Sequence, residues 1–255
     1  MTAFFTPLGG DRYRATPATE GPWDPRFQHG GPPTALLTHA LERTAPRQDA
    51  MLTRIAAEFL APVPVGELTT ATSVVRDGRN VALLDAELIA GGRTVMRARA
   101  WRLRRTAIEL DAICDGTPPP LPDDTVASPV GLDFGYARAV EWRVAAGTTD
   151  GPGPATVWTR LKHAVIDGEE ASPVQRVVAV ADSGSGVSAT LDWSGWTFLN
   201  VDLNVHLLRP PDGEWVCLDS RTQVDPSGVG LATTTLYDQH GRIGAGAQSL
   251  LVAPR

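Results

Sequence analysis

The sequence predicts an α+β protein built of two tandem units, each setting one helix against an antiparallel run of strands. Three observations carry this prediction. One helix, within Ser172–Gly184, is apolar around nearly its whole circumference and marked at both ends. In each half a lone helix stands among strand-like runs separated by glycine turns. The two halves can also be laid on each other at an almost constant offset.

The marked helix orders the rest. Ser172 suits the N-cap, Pro173 the first helical position, and Gln175, three residues after the cap, the return arm of a capping box. Gly184 is expected to stop the helix in a left-handed conformation. Between them Val174, Val177, Val178, Ala179, Val180 and Ala181 leave Arg176 as the charged interior position, and a helix so apolar is a buried one. Asp182 closes the run. A carboxylate there needs partners or a site, because an unpaired buried charge costs roughly several kcal/mol.

In chain order, a short strand is expected near Asp11–Ala15. A turn-rich stretch, Gly21 to Pro33, then leads into a helix over Thr34–Arg43 that must end before Pro46. Four strand-like runs follow, Leu52–Leu60, Glu67–Arg76, Asn80–Ala90 and Gly92–Leu103, with turns at Gly66, Asp77-Gly78 and Gly91-Gly92. Residues 106–135 change character: Thr117-Pro118-Pro119-Pro120-Leu121-Pro122 can be neither a central strand nor a helix, and reads as a connector. The second half repeats the plan, with strands Tyr136–Ala145 and Ala155–Ala164 before the marked helix. Gly195–Leu208, Glu214–Val224, Val229–Tyr237 and Arg242–Val252 come after it.

The duplication is visible in the letters. Glu58-Phe59-Leu60-Ala61-Pro62 matches His206-Leu207-Leu208-Arg209-Pro210 at an offset of 148, Gly66-Glu67 matches Gly213-Glu214 at 147, and Gly92-Arg93 matches Gly241-Arg242 at 149. The units are therefore residues 1–105 and 136–255, joined by the connector over 106–135.

Composition narrows the function classes. A net charge of −6 with no long run of either sign argues against nucleic acid as partner. Cys114 and Cys217 are too few for a disulfide framework, and the five histidines form no ligand cluster, so neither metal nor other cofactor is expected. The first residues lack a basic, then apolar, leader, and no run is long enough to span a membrane, so a cytoplasmic setting is the expectation. Ser185, in Gly184-Ser185-Gly186, is not a nucleophile elbow, which needs G-x-S-x-G between a strand and a following helix. Cys217 and His206 are expected on one strand eleven residues apart, too far to meet as a thiol pair.

Several motifs in fixed order resemble one family. They are Gly30-Gly31-Pro32-Pro33, Ala181-Asp182-Ser183, Asn200-Val201-Asp202-Leu203, His206 to Pro211, Glu214-Trp215, Leu236-Tyr237-Asp238, and Ala247-Gln248-Ser249-Leu250. With the duplication, they make the chain similar to the type II acyl-CoA thioesterases and related thioesterase-like proteins. The resemblance implies a double hotdog fold, two curved antiparallel sheets each wrapped around a central helix. It implies hydrolysis of acyl-CoA, or another acyl thioester, by direct attack of water, with CoA present only as part of the substrate. Homo-oligomers are implied too.

In that family an aspartate, a hydroxyl residue and a glutamine position the water. Motif against motif, these fall on Asp182, Asn200 and Gln248. Asn200 departs from the hydroxyl, although an amide both donates and accepts. The departure motivates a second reading, a non-hydrolytic acyl-thioester binding protein on the same scaffold. Hydrolysis needs an oriented water, an acceptor for its proton and donors for the oxyanion. Asp182 is the expected acceptor, Asn200 and Gln248 are expected to hold the water, and backbone N–H groups at Gly30 and Gly31 would face the carbonyl oxygen. A hotdog dehydratase or hydratase would instead want a His/Asp pair near a helix start, and only His29 is so placed, which argues against it. Trp23, Trp193, Trp196 and Trp215 are candidates either for an acyl tunnel or for the core.

Overall fold

The computed structural model describes residues 3–111, 116–147 and 151–255; Cys114 lies outside them. In chain order, β1 (Ala3–Gly9) and β2 (Arg12–Ala15) precede helix α1 (Gly31–Arg43). Then come β3 (Ala50–Phe59), β4 (Glu67–Asp77), β5 (Val81–Ala90) and β6 (Arg93–Arg104). The second half runs α2 (Gly135–Ala139), β7 (Val140–Ala146), β8 (Ala155–Leu161), β9 (Ala164–Ile166), α3 (Pro173–Ala181) and α4 (Gly184–Val187). It continues with β10 (Trp196–Asn200), β11 (Asp202–Leu207), β12 (Val216–Asp225), β13 (Val229–Asp238) and β14 (Gly241–Pro254).

All the strands join one sheet in the order β7-β8-β12-β13-β14-β11-β3-β6-β5-β4-β2-β1-β9, with β10 also on β14. Every pairing is antiparallel except β1 with β9. From the middle outward the halves mirror each other: β3, β6, β5, β4, β2, β1 on one side answer β11, β14, β13, β12, β8, β7 on the other. At the seam Ala56 pairs with Asn204, two residues separated by the repeat offset of 148. Equivalent positions pair with each other only on a pseudo-two-fold axis, so the axis passes through this pair. Register shifts at Thr53 of β3, Val75 of β4 and Ile243 of β14 add local twist to the sheet.

The helices α1 and α3 lie antiparallel between the two arms. Gly31, at the start of α1, sits so near the end of α3 that an added Cβ would fall 2.0 Å from the Ala179 carbonyl oxygen. At the other end Glu42 of α1 accepts hydrogen bonds from Ser172 Oγ at 2.8 Å and Gln175 Nε2 at 2.7 Å. The core of Leu36, Leu37, Leu41, Ile55, Leu84, Val177, Val178 and Leu218 fills the space between helices and sheet. Arg102 closes α1 by donating to the carbonyls of Leu41, Thr44 and Ala45.

Several expectations are corrected here. Ser172 Oγ accepts from Gln175 N at 3.1 Å as a cap should, but the Gln175 side chain reaches across to Glu42 rather than back to the cap. Gly184 is not left-handed; it opens α4, and a Cβ there would stand 2.4 Å from Thr234 Oγ1, so glycine serves for room. The run Gly195–Leu208 is two strands. The chain breaks at Val201, whose carbonyl turns to accept from Phe59 N, while the Asp202 carboxylate takes the Ser249 N–H. Tyr136 belongs to a short helix, not a strand. The strand β1, with Phe4 and Phe5 fully buried, goes unread in the sequence because Thr6-Pro7 looks like coil; it lies between β2 and β9, but β9 pairs with it only at Ala3 and Phe5, so Pro7 falls where one side of the strand is uncovered. His206 and Cys217 stand on β11 and β12, with β14 and β13 between them.

Candidate active site

The site gathers where the end of α3, the break between β10 and β11, and the middle of β14 meet. Asp182 is the C-cap of α3 and only 4% exposed. Asn200, the last residue of β10, donates its amide Nδ2 to Asp182 Oδ1 at 2.8 Å and to the Asp202 carbonyl at 3.1 Å. Gln248, on the inward face of β14, donates Nε2 to the Asp182 carbonyl at 2.9 Å and to Oδ1 at 3.2 Å. Its Oε1 accepts from Ser185 N at 3.0 Å. Gln248 is 2% exposed, with both ends of its amide hydrogen-bonded.

The other half of the molecule supplies the second side. Gly30 caps α1 and packs on Asp182 so closely that a Cβ would meet Oδ2 at 2.7 Å and Phe59 Cζ at 2.6 Å. His29 places Nδ1 3.2 Å from Asp182 Oδ2 and 3.1 Å from the Gly31 N–H. Its ring stacks on Tyr136 at 3.9 Å with the planes only 5° apart. Burial holds the His29 imidazole below its ordinary pKa, against the pull of the Asp182 carboxylate. Tyr136 donates to the Ala179 carbonyl at 2.8 Å and meets Ser183 Oγ at 2.9 Å; burial pushes its phenol well up, so it stays protonated.

A cavity of about 340 Å3 opens beside this cluster. Asp182, Asn200, His29 and Gly30 line it together with the aromatic rings of Trp23, Trp193, Phe198, Phe27 and Phe59. Trp23, Trp193 and Phe198 pack as an aromatic box with ring centres 4.5–5.2 Å apart. Trp196 is partly exposed, and Trp215 is buried beneath the guanidinium groups of Arg143 and Arg160. Gln248 and Gly31 are absent from the cavity wall, one behind Asp182 and the other against Ala179 and His29 Nδ1. Among the described residues no three His, Cys, Asp or Glu gather as metal ligands. The thiol of Cys217 is buried and pushed up by that burial.

The structure thus brings Asp182, Asn200 and Gln248 together and sets Gly30 against them. Sequence reading names His29 but gives it no partner, and it misses Tyr136. The aspartate that pairs with His29 comes from the opposite unit, through the antiparallel contact of α1 with α3, and no local spacing announces such a contact.

Residues 19–103 match the model of the acyl-CoA thioesterase N-terminal domain, and residues 114–252 that of the C-terminal domain. The chain belongs to the acyl-CoA thioesterase family. Solved structures agree on the hotdog fold of this thioesterase. A candidate thioesterase of Novosphingobium aromaticivorans superposes with a TM-score of 0.74 at 23% identity, covering 97% of this chain and 98% of that one. A candidate thioesterase II of Thermobifida fusca gives 0.76 at 20%, covering all of both chains. The acyl-CoA thioesterase II of Mycobacterium marinum gives 0.68 at 15%, covering 98% and 95%. The search of curated proteins finds no match. Hydrolysis of a thioester is the activity of this enzyme class, and among the described residues no helix is long and apolar enough to cross a membrane.

Proposed function

We propose that the protein hydrolyses acyl-CoA, or another acyl thioester, by direct attack of water, with no covalent intermediate, at the site centred on Asp182. The observation that supports this reading is the buried carboxylate held by the amides of Asn200 and Gln248 beside an apolar cavity. The acyl group would lie among the aromatic rings, and the thioester carbonyl near Gly30. A cavity of 340 Å3 is at the small end of the usual range for ligand sites, enough for an acyl group and thioester while the CoA body stays outside.

Asn200 fills the family's hydroxyl position with a group that still donates to Asp182, which is the part of the hydroxyl's work the carboxylate requires. Release of free thiol from a chain-length series of acyl-CoAs, read with a coloured thiol reagent, tests the proposal. Asp182→Asn and Gln248→Ala are each expected to lose about 10²–10⁴-fold in kcat, the range of acid–base and preorganised electrostatic effects. Undiminished turnover in Asp182→Asn overturns the site assignment.

We also infer that copies of the chain associate. Leu199 and Val229 flank Leu251 across β10, β14 and β13, with Leu231 two residues further along, and all four are solvent-exposed on one sheet face. A row of exposed aliphatic side chains of this kind is an association surface more often than a bare one.

A further inference from the structure

We propose that Trp193 sets the length of the acyl group the enzyme accepts, its indole standing as a wall between the cavity beside Asp182 and a second cavity beyond the ring. On the hydrolytic reading above, on which this rests, the substrates of the protein are short-chain acyl thioesters.

Two cavities meet at two residues. The one of about 340 Å3 that has Asp182 and Asn200 in its wall, and a second of about 370 Å3, are both lined by Gly186 and Trp193. Pro129, Val130, Val187 and Leu191 are among the other walls of the second, and none of the Asp182 cluster is. Gly186 lies on α4 and faces the edge of the indole. A Cβ added there would stand 3.9 Å from both Cη2 and Cζ2 of Trp193 and 4.0 Å from Cγ1 of Val130. The ring edge thus fills the space that the glycine leaves open, next to a side chain that belongs to the second cavity. The same ring packs into the aromatic box of the first, with centres 5.0 Å from Trp23 and 4.5 Å from Phe198. Trp193 is the side chain common to both walls.

The turn that carries the indole is anchored without it. The Asp192 carboxylate accepts from Ser194 N at 2.7 Å and from Gly195 N at 3.3 Å, and the Trp193 carbonyl accepts from Arg255 Nη1 at 3.0 Å. Each of these contacts is made at the main chain of residues 193–195, so the side chain can be shortened while the turn keeps its anchors.

An acyl chain gains from every methylene it buries until it reaches the indole. A longer one must push aside a ring packed on two others or leave its end in water. With the ring removed the chain runs on into the second cavity. Each methylene buried there is expected to raise kcat/KM about fourfold, the ratio that corresponds to about 0.8 kcal/mol. The gain belongs to KM, because the end of the chain is buried equally in the ground and transition states.

The test is thiol release by the full chain over straight-chain acyl-CoAs from butyryl to palmitoyl. The wild type is expected to show its highest kcat/KM toward the short end of the series. Trp193→Ala is expected to move that maximum to longer chains, by about fourfold for each methylene taken up and through KM. Adding Gly186→Leu to Trp193→Ala returns an aliphatic side chain to the opened space and should bring the maximum back to short chains, which a merely loosened turn would not do. A wild-type kcat/KM that climbs steadily to palmitoyl-CoA overturns the proposal, whether or not any variant folds. So does a Trp193→Ala protein with wild-type cooperative unfolding whose profile is unchanged, or lowered equally at every length; the hydrolytic reading then stands. Absence of hydrolysis by the wild type on every member of the series overturns both.

Discussion

Asp182 is costly to bury and is held by three partners, so its neighbours cannot be exchanged independently. Asn200 shows this best. Its amide gives both protons away, one to Asp182 Oδ1 and one to the Asp202 carbonyl across the strand break. In Asn200→Ala the carboxylate loses a donor in a buried setting, and kcat is expected to fall about 10–100-fold by thiol release. Asn200→Thr keeps one donor and restores the hydroxyl of the related enzymes, so it should retain more activity than alanine; activity below that of alanine would contradict this account. The cluster also leaves a mark on stability. Burial lowers the His29 pKa from 6.5, so between that value and the folded one the unfolded chain binds more protons. Stability is then complete above pH 6.5 and falls as the pH drops through the folded value. Denaturant unfolding across that window should show a slope that flattens in His29→Asn.

Helix ends carry the site, and the next scale up is where they are set. The contact of α1 with α3 depends on the missing side chain of Gly31, since a Cβ would overlap the Ala179 carbonyl. Gly31→Ala is expected to destabilise by about 1–3 kcal/mol through overpacking and to weaken kcat by displacing Gly30. At the far end of the same pair, burial raises the Glu42 carboxyl above its ordinary value despite hydrogen bonds from Gln175 and Ser172. Ser172→Ala removes both the helix cap and one of those bonds, and should cost about 1–2 kcal/mol in chemical denaturation. Most of this scale is legible in the letters. Ser172 and Pro173 mark the start of α3, and the turn glycines bracket most strands of the meander to within a residue or two. What is not legible follows a pattern. Gln175 passes over its local partner for Glu42, Gly184 is glycine for space rather than for φ, and the strand before Asp202 breaks because a side chain substitutes for a carbonyl. Each is a tertiary contact overriding a local signal, and the pairing of His29 with Asp182 is another.

At the scale of the whole molecule, the repeat offset of 148 is both the clearest sequence signal and the rule of the sheet, because it reappears in the Ala56–Asn204 pair. The exposed row Leu199, Leu251, Val229 and Leu231 belongs to this scale as well. Leu251→Glu is expected to lower the mass measured by light scattering while leaving the unfolding midpoint nearly unchanged. An unaltered mass would place any association elsewhere.

The seam at Ala56 and Asn204 also has a bearing on ancestry. An edge that matches itself under a half-turn would zip a free-standing unit to its own twin, so joining two genes end to end preserves a contact that predates the joining. Such a twin offers two identical catalytic stations, one at each end of the helix pair. In this chain the first ends on Asp182 against His29, and its counterpart on Glu42, which accepts hydrogen bonds from Ser172 and Gln175. On the proposed reading the first station carries the chemistry and the second holds the two helices together.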